Sequence, residues 1–271
     1  MTPIHQANTV CLTHEQHAAT VVPLLPSVHR YALYFSPETT SRWWQAGNQW
    51  LGRDPSTMQD LTPPVIAGLT TETQRILTTS ARRYGFHATL KAPFRLRDGE
   101  DFAALDQVLS TFCQQQTAQI IHRPTVQWMG NFLALRPESD SPDMMTFAQA
   151  CVASCDHLRA PLSQTEQERR RPEQLSIRQR ELLARWGYPF TEETFRFHMT
   201  LSDKVPHQAD ADLLYEAAIR HFDITEELCI ASVCLFYEPT AGADFQLLKR
   251  YPLTASTISA SECSHSGRAD G

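Results

Sequence analysis

The sequence has few glycines, no long hydrophobic run and no excess of basic residues. With ten glycines in 271 residues, it contains no glycine-rich phosphate loop and no dinucleotide fingerprint, which argues against a nucleotide-driven kinase or ATPase. No stretch approaches the roughly 18 consecutive apolar residues that a membrane helix needs. A net charge of −6 argues against broad, salt-dependent binding to nucleic acid, although a local basic site is compatible with it.

Disulfides, metals and export are not indicated either. The seven cysteines are an odd number scattered along the chain, which predicts reduced and mostly buried thiols. Cys151 and Cys155 lie four residues apart in an apolar stretch, a spacing more typical of core packing than of a metal site completed by His157, Cys229 and Cys234. The N-terminal residues lack the charged start and apolar run of a signal peptide. We therefore expect a cytoplasmic protein with no membrane attachment.

The periodic part of the chain lies between two ends of different character. Residues 1–28 show no reliable periodicity, and residues 255–271 are rich in Ser, Thr, Ala and Gly, so we expect a flexible extension and a disordered tail. Residues 29–254 are predicted to form a single domain with two lobes, at about 29–138 and 139–254. Nothing in the sequence predicts the oligomeric state.

Both lobes repeat one order of elements, a central strand followed by a helix and a strand hairpin. In the first half, after a strand at Arg30–Phe35, these are Tyr84–Pro93, Asp101–Gln116, Thr125–Trp128 and Phe132–Leu135. In the second half they are Phe195–Ser202, Ala211–His221, Cys229–Tyr237 and Phe245–Tyr251. The repetition predicts a bilobed, internally duplicated α+β fold in which two antiparallel sheets flank a central cleft.

The pentapeptide Phe-His-x-Thr-Leu occurs twice, at 86–90 and 197–201, in the two predicted central strands. The triplet His-x-Ser/Thr alone is expected about twice by chance in such a sequence. The full pentapeptide is expected only about 0.01 times. Its recurrence at corresponding positions of the two halves is therefore the informative signal.

Each central strand is predicted to have a polar face and an apolar face, because side chains alternate along a strand. The polar faces carry a histidine, a threonine and a cation: His87, Thr89 and Lys91 in the first strand, and His198, Thr200 and Arg196 in the second. Such faces are unfavourable in a core but suit a cleft. Two of these strands facing each other would form a symmetric pocket.

A pair of histidines in one pocket suits phosphodiester chemistry. One imidazole can act as a base while the other, protonated, acts as an acid. The threonines can donate hydrogen bonds to non-bridging phosphate oxygens, and the two cations can add positive charge. The scheme requires no metal or other cofactor. A lone strand histidine is more often structural and threonine is common in strands, but the paired repeat favours the functional interpretation.

These residues resemble the 2H phosphoesterase superfamily, whose members carry two His-x-Thr/Ser motifs on facing strands of a bilobed fold. Five segments resemble an uncharacterised branch of it that is encoded beside phosphonate-degradation genes: Trp50–Asp54, Tyr84–Phe94, Arg159–Leu162, Arg185–Pro189 and Phe195–Leu201. The resemblance extends over about residues 31–253 of the chain. It implies a metal-independent hydrolase of a small cyclic phosphodiester, with the two histidines as acid and base and the two threonines holding phosphate. A candidate substrate is 5-phosphoribosyl 1,2-cyclic phosphate.

Two further groups of residues are candidates for binding the substrate. The segment 159–185 contains seven arginines and four glutamates, so Arg169 and Arg170 could hold a second phosphate, unless they belong to a solvated helix face. Tyr31 and Tyr237 could line the pocket, unless they are ordinary sheet aromatics.

Two other functions are compatible with the sequence. A phosphodiesterase or ligase acting on 2′,3′-cyclic RNA ends would show strongly salt-dependent RNA binding, which the negative charge disfavours. A non-catalytic sugar-phosphate binding protein would bind its ligand without turnover. An assay in EDTA and the salt dependence of oligonucleotide binding distinguish these alternatives from a small-molecule cyclic phosphodiesterase.

Overall fold

The computed structural model describes residues 29–254, and the predicted extension (1–28) and tail (255–271) lie outside the described residues. The strands are β1 (Arg30–Phe35), β2 (Ala88–Phe94), β3 (Gln119–Ile121), β4 (Thr125–Met129), β5 (Phe132–Arg136), β6 (Met199–Thr200), β7 (Leu228–Ile230), β8 (Ser232–Glu238) and β9 (Gln246–Pro252). The α-helices are α1 (Arg42–Leu51), α2 (Thr71–Leu77), α3 (Thr79–Tyr84), α4 (Phe102–Cys113), α5 (Pro142–Ser154), α6 (Gln164–Arg169), α7 (Ile177–Trp186) and α8 (Gln208–His221). Short 3₁₀ helices lie at Asp156–Leu158, Pro172–Gln174 and Glu192–Thr194.

Helix boundaries follow capping signals that are visible in the sequence. Helix α7 begins and ends at such signals, because Ser176 and Gln179 form a capping box at its start and Gly187 ends it with a φ of 72°. The predicted strand at Tyr84–Pro93 begins too early, since Tyr84 ends α3 and Gly85, with a φ of 78°, turns the chain into β2.

The strands form two antiparallel sheets, which confirms the α+β class. The large sheet has the order β4-β5-β6-β2-β1-β8-β9, and the small sheet pairs β3 with β7. Each sheet contains strands from both halves of the sequence. The predicted strand Cys229–Tyr237 is likewise divided at Ala231 between the two sheets. Alternation identifies a strand but does not say which strand will pair with it.

Helices cover one face of the large sheet and bury an extensive apolar core that includes Leu33, Phe35 and Leu90. The other face carries a smaller cluster, in which Tyr34 packs with Phe236 and Phe245. Within the described residues, no helix has both the length and the apolar character to cross a membrane. The same part of the chain has no group of three or more His, Cys, Asp or Glu side chains placed to hold a metal ion.

Candidate active site

The two motif strands are neighbours in the large sheet. Strands β2 and β6 pair antiparallel, with Ala88 opposite Met199. Extending this register by one residue in each direction places His87 opposite Thr200 and Thr89 opposite His198. Directly opposite residues of an antiparallel pair share a face of the sheet. The structure therefore brings the two predicted histidines and the two predicted threonines together.

The apolar residues of each motif anchor this arrangement. Phe86 and Phe197, which precede the histidines, are both buried in the helix-side core. The Ser36 hydroxyl also donates a hydrogen bond to the Phe86 carbonyl oxygen at 2.6 Å. Because the flanking residues are fixed on the core side, the histidines project from the opposite face.

Both imidazoles are held in the same way by the backbone two residues earlier. The Nδ1 atom of His87 lies 2.8 Å from the Gly85 carbonyl oxygen, and that of His198 lies 2.8 Å from the Arg196 carbonyl oxygen. A carbonyl oxygen only accepts hydrogen bonds, so Nδ1 carries the hydrogen in both rings. In each neutral ring Nε2 then carries a lone pair that can accept a proton. The Nε2 atom of His87 accepts a hydrogen bond from the Thr89 hydroxyl at 3.2 Å.

Burial lowers the pKa of both histidines. The pKa of His87 falls to about 4, because burial is only partly opposed by the hydrogen bond to Gly85 and the charges of His198 and Arg53 add to it. The pKa of His198 is also lowered by burial, with a further contribution from the Arg136 guanidinium. Without a ligand, both rings are therefore neutral at neutral pH. A bound anion would favour protonation of one of them.

The strands on either side of the motifs make the surroundings of the two histidines unequal. On the β1 side, Tyr34 lies opposite Thr89, and its ring stacks on the His87 imidazole with centroids 3.9 Å apart. On the β5 side, the corresponding position opposite Thr200 is Ala134. His87 is thus stacked closely on a phenol ring, whereas the aromatic neighbour of His198 is the tilted and more distant ring of Phe132, with centroids 5.9 Å apart.

Arg136 is a site residue that sequence reasoning missed. Continuing the β5–β6 register from the pair Ala134 and Thr200 places Arg136 opposite His198, on the same face. Its Nε atom is buried without a hydrogen-bond partner among the described residues, and its closest carboxylate contact is a long one, 3.4 Å to Asp140. Only the pairing of β5 with β6, which the sequence does not reveal, could have pointed to it.

Lys91 does not lie on the histidine face, contrary to the prediction. The register between β1 and β2 shifts between Leu33 and Tyr34, so Lys91 lies opposite Leu33 on the helix-covered face. Its ammonium group donates to the Val152 carbonyl oxygen at 2.8 Å and pairs with Asp156 at 2.9 Å. A β-bulge of this kind breaks the simple alternation on which the prediction relied.

The guanidinium of Arg196, the other predicted cation, is already engaged. Its Nε atom lies 3.1 Å from an Asp140 carboxylate oxygen, and its Nη1 atom donates to the Glu193 carbonyl oxygen at 2.8 Å. What Arg196 provides to the site is the backbone carbonyl that holds His198.

The predicted pocket tyrosines lie on the other face of the sheet. Tyr31 pairs with Tyr237 across β1 and β8, and both pack with the helix-side core that contains Leu33. The Tyr237 hydroxyl donates to Gln246 at 2.7 Å. Because faces alternate along β1, it is Tyr34, and not Tyr31, that reaches a histidine.

The structure separates the two predicted arginines of the arginine-rich segment. Arg169 ends helix α6 and is exposed. Arg170, the next residue, is half-buried, and its guanidinium carbon lies 5.0 Å from the centroid of the Tyr188 ring.

Buried Arg53 fixes the loop that leads into the first motif. With 1% of its surface exposed, its guanidinium donates to the carbonyl oxygens of Arg82 at 3.0 Å, Arg83 at 2.9 Å and Phe245 at 3.0 Å. No spacing signal in the sequence points to this residue. Through these hydrogen bonds Arg53 connects the C-terminal end of α3, which leads into the loop before His87, to the segment before β9.

An antiparallel α+β fold that brings two His-x-Thr motifs together on neighbouring strands agrees with what the resemblance to 2H phosphoesterases implies. Residues 89–246 match a family model described as "Protein of unknown function (DUF1045)". The chain belongs to this family.

Two curated relatives carry the name "Ribose 1,5-bisphosphate phosphokinase PhnN". The protein from Janthinobacterium sp. (strain Marseille) is 42% identical over 248 residues, which cover 89% of this chain and 54% of the relative. The protein from Laribacter hongkongensis (strain HLHK9) is 35% identical over 221 residues, covering 81% of this chain and 51% of the relative. The chain thus spans about half the length of these relatives.

Solved structures align over most of the chain at low similarity. A phosphoesterase matches with 12% identity and a TM-score of 0.38, covering 84% of this chain and 99% of that one. E. coli LigT complexed with NADP+ matches with 15% identity and a TM-score of 0.38, covering 84% and 98%. At these values the alignments add nothing on activity.

Proposed function

We propose that this protein hydrolyses a small cyclic phosphodiester without a metal ion, by acid–base catalysis between His87 and His198. The observation that carries the proposal is the matched state of the two rings. Both hydrogen-bond through Nδ1 to a carbonyl oxygen two residues earlier, and the strand register places both on one face. The two Nε2 atoms can therefore exchange protons with a ligand bound between them, once the Thr89 hydroxyl, 3.2 Å from the Nε2 atom of His87, turns to the ligand.

The reaction consumes one water molecule and opens one ester bond. One histidine takes a proton from the water as its oxygen attacks phosphorus. The bond from phosphorus to a sugar oxygen breaks, and the other histidine, protonated, gives its proton to that oxygen. The product carries a phosphate monoester and a free hydroxyl group.

The surroundings of the histidines suit them to different roles. His87 is buried against Tyr34 and has a pKa lowered to about 4, so it remains neutral and is suited to be the base. His198 then acts as the acid. When the substrate binds, Thr89 and Thr200 donate hydrogen bonds to the non-bridging oxygens, and the Thr89 hydroxyl thereby releases the Nε2 atom of His87. Arg136, whose Nε has no partner among residues 29–254, is placed to offset the charge that develops on them.

The curated relatives support a ribose phosphate as the substrate. Their printed name describes a kinase that acts on ribose 1,5-bisphosphate. Opening 5-phosphoribosyl 1,2-cyclic phosphate at the bond between phosphorus and the 2-oxygen yields that compound. This chain has no glycine-rich phosphate loop, so in our proposal the kinase activity belongs to the half of those relatives that it does not match. The step would serve phosphonate degradation, as the sequence resemblance implies.

Phosphorus NMR of the purified protein in EDTA tests the proposal. We expect opening of 5-phosphoribosyl 1,2-cyclic phosphate, lost in both His87→Ala and His198→Ala. His122→Ala, a change at an exposed histidine with 75% of its side chain accessible, is the matched control and should retain wild-type activity.

Each other outcome of this assay identifies an alternative. Opening of a 2′,3′-cyclic nucleotide alone would move the protein to RNA-end chemistry. Binding of the sugar phosphate without opening would make the protein a sensor. Activity that disappears with EDTA and returns with a divalent metal would overturn the metal-free mechanism.

A further inference from the structure

Most arginines of the segment 159–185 are already held by other protein groups. They are Arg159 with Asp156, Arg178 with Glu193, Arg185 with Glu192, and Arg180 with the Leu175 carbonyl oxygen. The remaining three, Arg169 to Arg171, form no ion pair with a carboxylate in the part of the chain that the structure describes. Unpaired guanidinium groups at one place are suited to bind an anion.

Among these three, only Arg170 is turned towards the body of the protein. Arg169 and Arg171 are exposed, whereas Arg170 is half-buried, with its guanidinium carbon 5.0 Å from the centroid of the Tyr188 ring. An ion pair or hydrogen bond made by a partly desolvated guanidinium is stronger than one made by a solvated group. Arg170 is therefore the member of the cluster best placed to hold a ligand.

Tyr188 connects Arg170 to the active site. Burial raises the pKa of Tyr188, with the Tyr84 phenol adding to the effect and Arg170 opposing it. Tyr188 lines a cavity together with Ala92 and Pro93 of β2, the strand that follows His87, and the Tyr84 and Tyr188 phenols both raise the pKa of Tyr34. The ring of Tyr34 stacks on the His87 imidazole. The centroid of the Tyr84 ring lies 6.1 Å from the centroid of the same imidazole.

The hydroxyl groups of these three tyrosines are available for a ligand. None of them forms a hydrogen bond with another of the described residues. The guanidinium groups of Arg30 and Arg83, which also lie near the tyrosines, are held by protein contacts, because both pair with the buried carboxylate of Glu238. Arg170 is left as the positive charge without a carboxylate beside these hydroxyls.

We propose that Arg170, with the Tyr84 and Tyr188 hydroxyls, binds a second phosphate group of the substrate, a terminal phosphate monoester carried by the same sugar. This inference rests on the proposed function, and it specifies the substrate as a phosphorylated sugar cyclic phosphate. The cyclic phosphate lies between His87 and His198. The sugar extends past Tyr34, and the monoester dianion reaches the Arg170 guanidinium.

A pair of substrates that differ only in this phosphate tests the subsite. The values of kcat/KM are compared for 5-phosphoribosyl 1,2-cyclic phosphate and for ribosyl 1,2-cyclic phosphate. We expect Arg170→Ala to reduce the preference for the phosphorylated substrate by about 10- to 100-fold, the effect of one charge-assisted contact. Arg169→Ala, the change at the exposed neighbour, should leave the preference unaltered. Arg170→Lys should restore only part of it, because the charge remains but the planar fork is lost.

Two results would overturn the subsite while leaving the proposed function intact. In the first, Arg170→Ala lowers kcat/KM equally for both substrates. In the second, Arg169→Ala has the same effect as Arg170→Ala. That result would indicate that the arginines act through a general positive potential and not through a specific contact of Arg170. Binding of ribose 5-phosphate, measured by calorimetry, gives a readout that does not need turnover. Equal affinity in wild type and Arg170→Ala would refute the subsite, whereas weaker binding in Arg170→Ala by an otherwise inactive protein would keep the subsite and refute the hydrolase.

Discussion

The His87 imidazole stacks on the phenol ring of Tyr34, with centroids 3.9 Å apart and planes inclined by 29°. The second histidine is not stacked in this way, because Ala134 stands at the corresponding position opposite Thr200 and the ring of Phe132 is tilted, with its centroid 5.9 Å from that of His198. The repeated motifs thus place two identical side chains in different environments. In our mechanism this difference, rather than the sequence of either motif, assigns the base and the acid.

The first prediction concerns stability at acidic pH. The pKa of His87 is about 4 in the folded protein and about 6.5 in an unfolded chain. Between these values the unfolded state binds more protons, so the free energy of unfolding falls as the pH falls from about 6.5 to 4. We expect His87→Gln to lose less stability over this interval than wild type does, as measured by urea unfolding at several pH values. His122→Gln should follow wild type, and an unchanged slope in His87→Gln would contradict the prediction.

The second prediction concerns the charge opposite His198. Arg136 lowers the pKa of His198, so Arg136→Gln should raise that pKa. Titration of the ring by ¹H–¹⁵N NMR measures the shift directly. Turnover of the cyclic substrate should also fall by about 10- to 100-fold, because a donor to the phosphate is lost. The control is Arg220→Gln, a change at a guanidinium that is 70% exposed on α8. A pKa that stays constant in Arg136→Gln would show that Arg136 does not act on His198.

The third prediction concerns the buried guanidinium of Arg53. Lysine cannot reach the three carbonyl oxygens that Arg53 contacts, so Arg53→Lys should destabilise the fold by about 2–4 kcal/mol. Chemical denaturation gives this value. Activity should fall even where the variant is folded, since the loop before His87 is released. Arg75→Lys, at a side chain that is 63% exposed, should change neither property.

The fourth prediction concerns the contact between α1 and the first motif. A Cβ atom added at Gly47 would overlap the ring of Phe86, the residue that anchors His87. Overpacking of this kind costs about 1–3 kcal/mol, which exceeds the usual gain of roughly 0.5–1 kcal/mol from replacing a helical glycine with alanine. We therefore expect a lower melting temperature for Gly47→Ala. Gln49→Ala, on the exposed side of the same helix, should not lower it.

Local signals in the sequence predict much of the fold. The strand Arg30–Phe35 has the predicted bounds, and capping residues mark both ends of the helix Ile177–Trp186, because the residues of a strand and the caps of a helix are local properties. The hairpin around Gly130 and Asn131 also forms where the turn pair predicts it. Strand pairing is not a local property, so the position of β6 between β5 and β2 could not be predicted.

The same distinction applies to the candidate site. His87, Thr89, His198 and Thr200 could be selected because their motif recurs. Lys91 was misplaced because a bulge, which depends on the partner strand, reverses its face. Arg136, Arg53 and Tyr188 carry no repeated pattern. They reach the site only through contacts with segments distant in sequence.

The exchange of strands between the two halves has a consequence for how the protein is made. When the first half has left the ribosome, β5 and β2 still have no strand between them, since β6 lies about 60 residues beyond β5 along the chain. Strand β1 is still unpaired along the edge that later binds β8, because β8 follows later in the chain. The nascent first half therefore exposes open strand edges, which are prone to pair with other chains. The two histidines can meet only after β6 has been synthesised, so a translation product truncated before β6 contains one histidine of the pair.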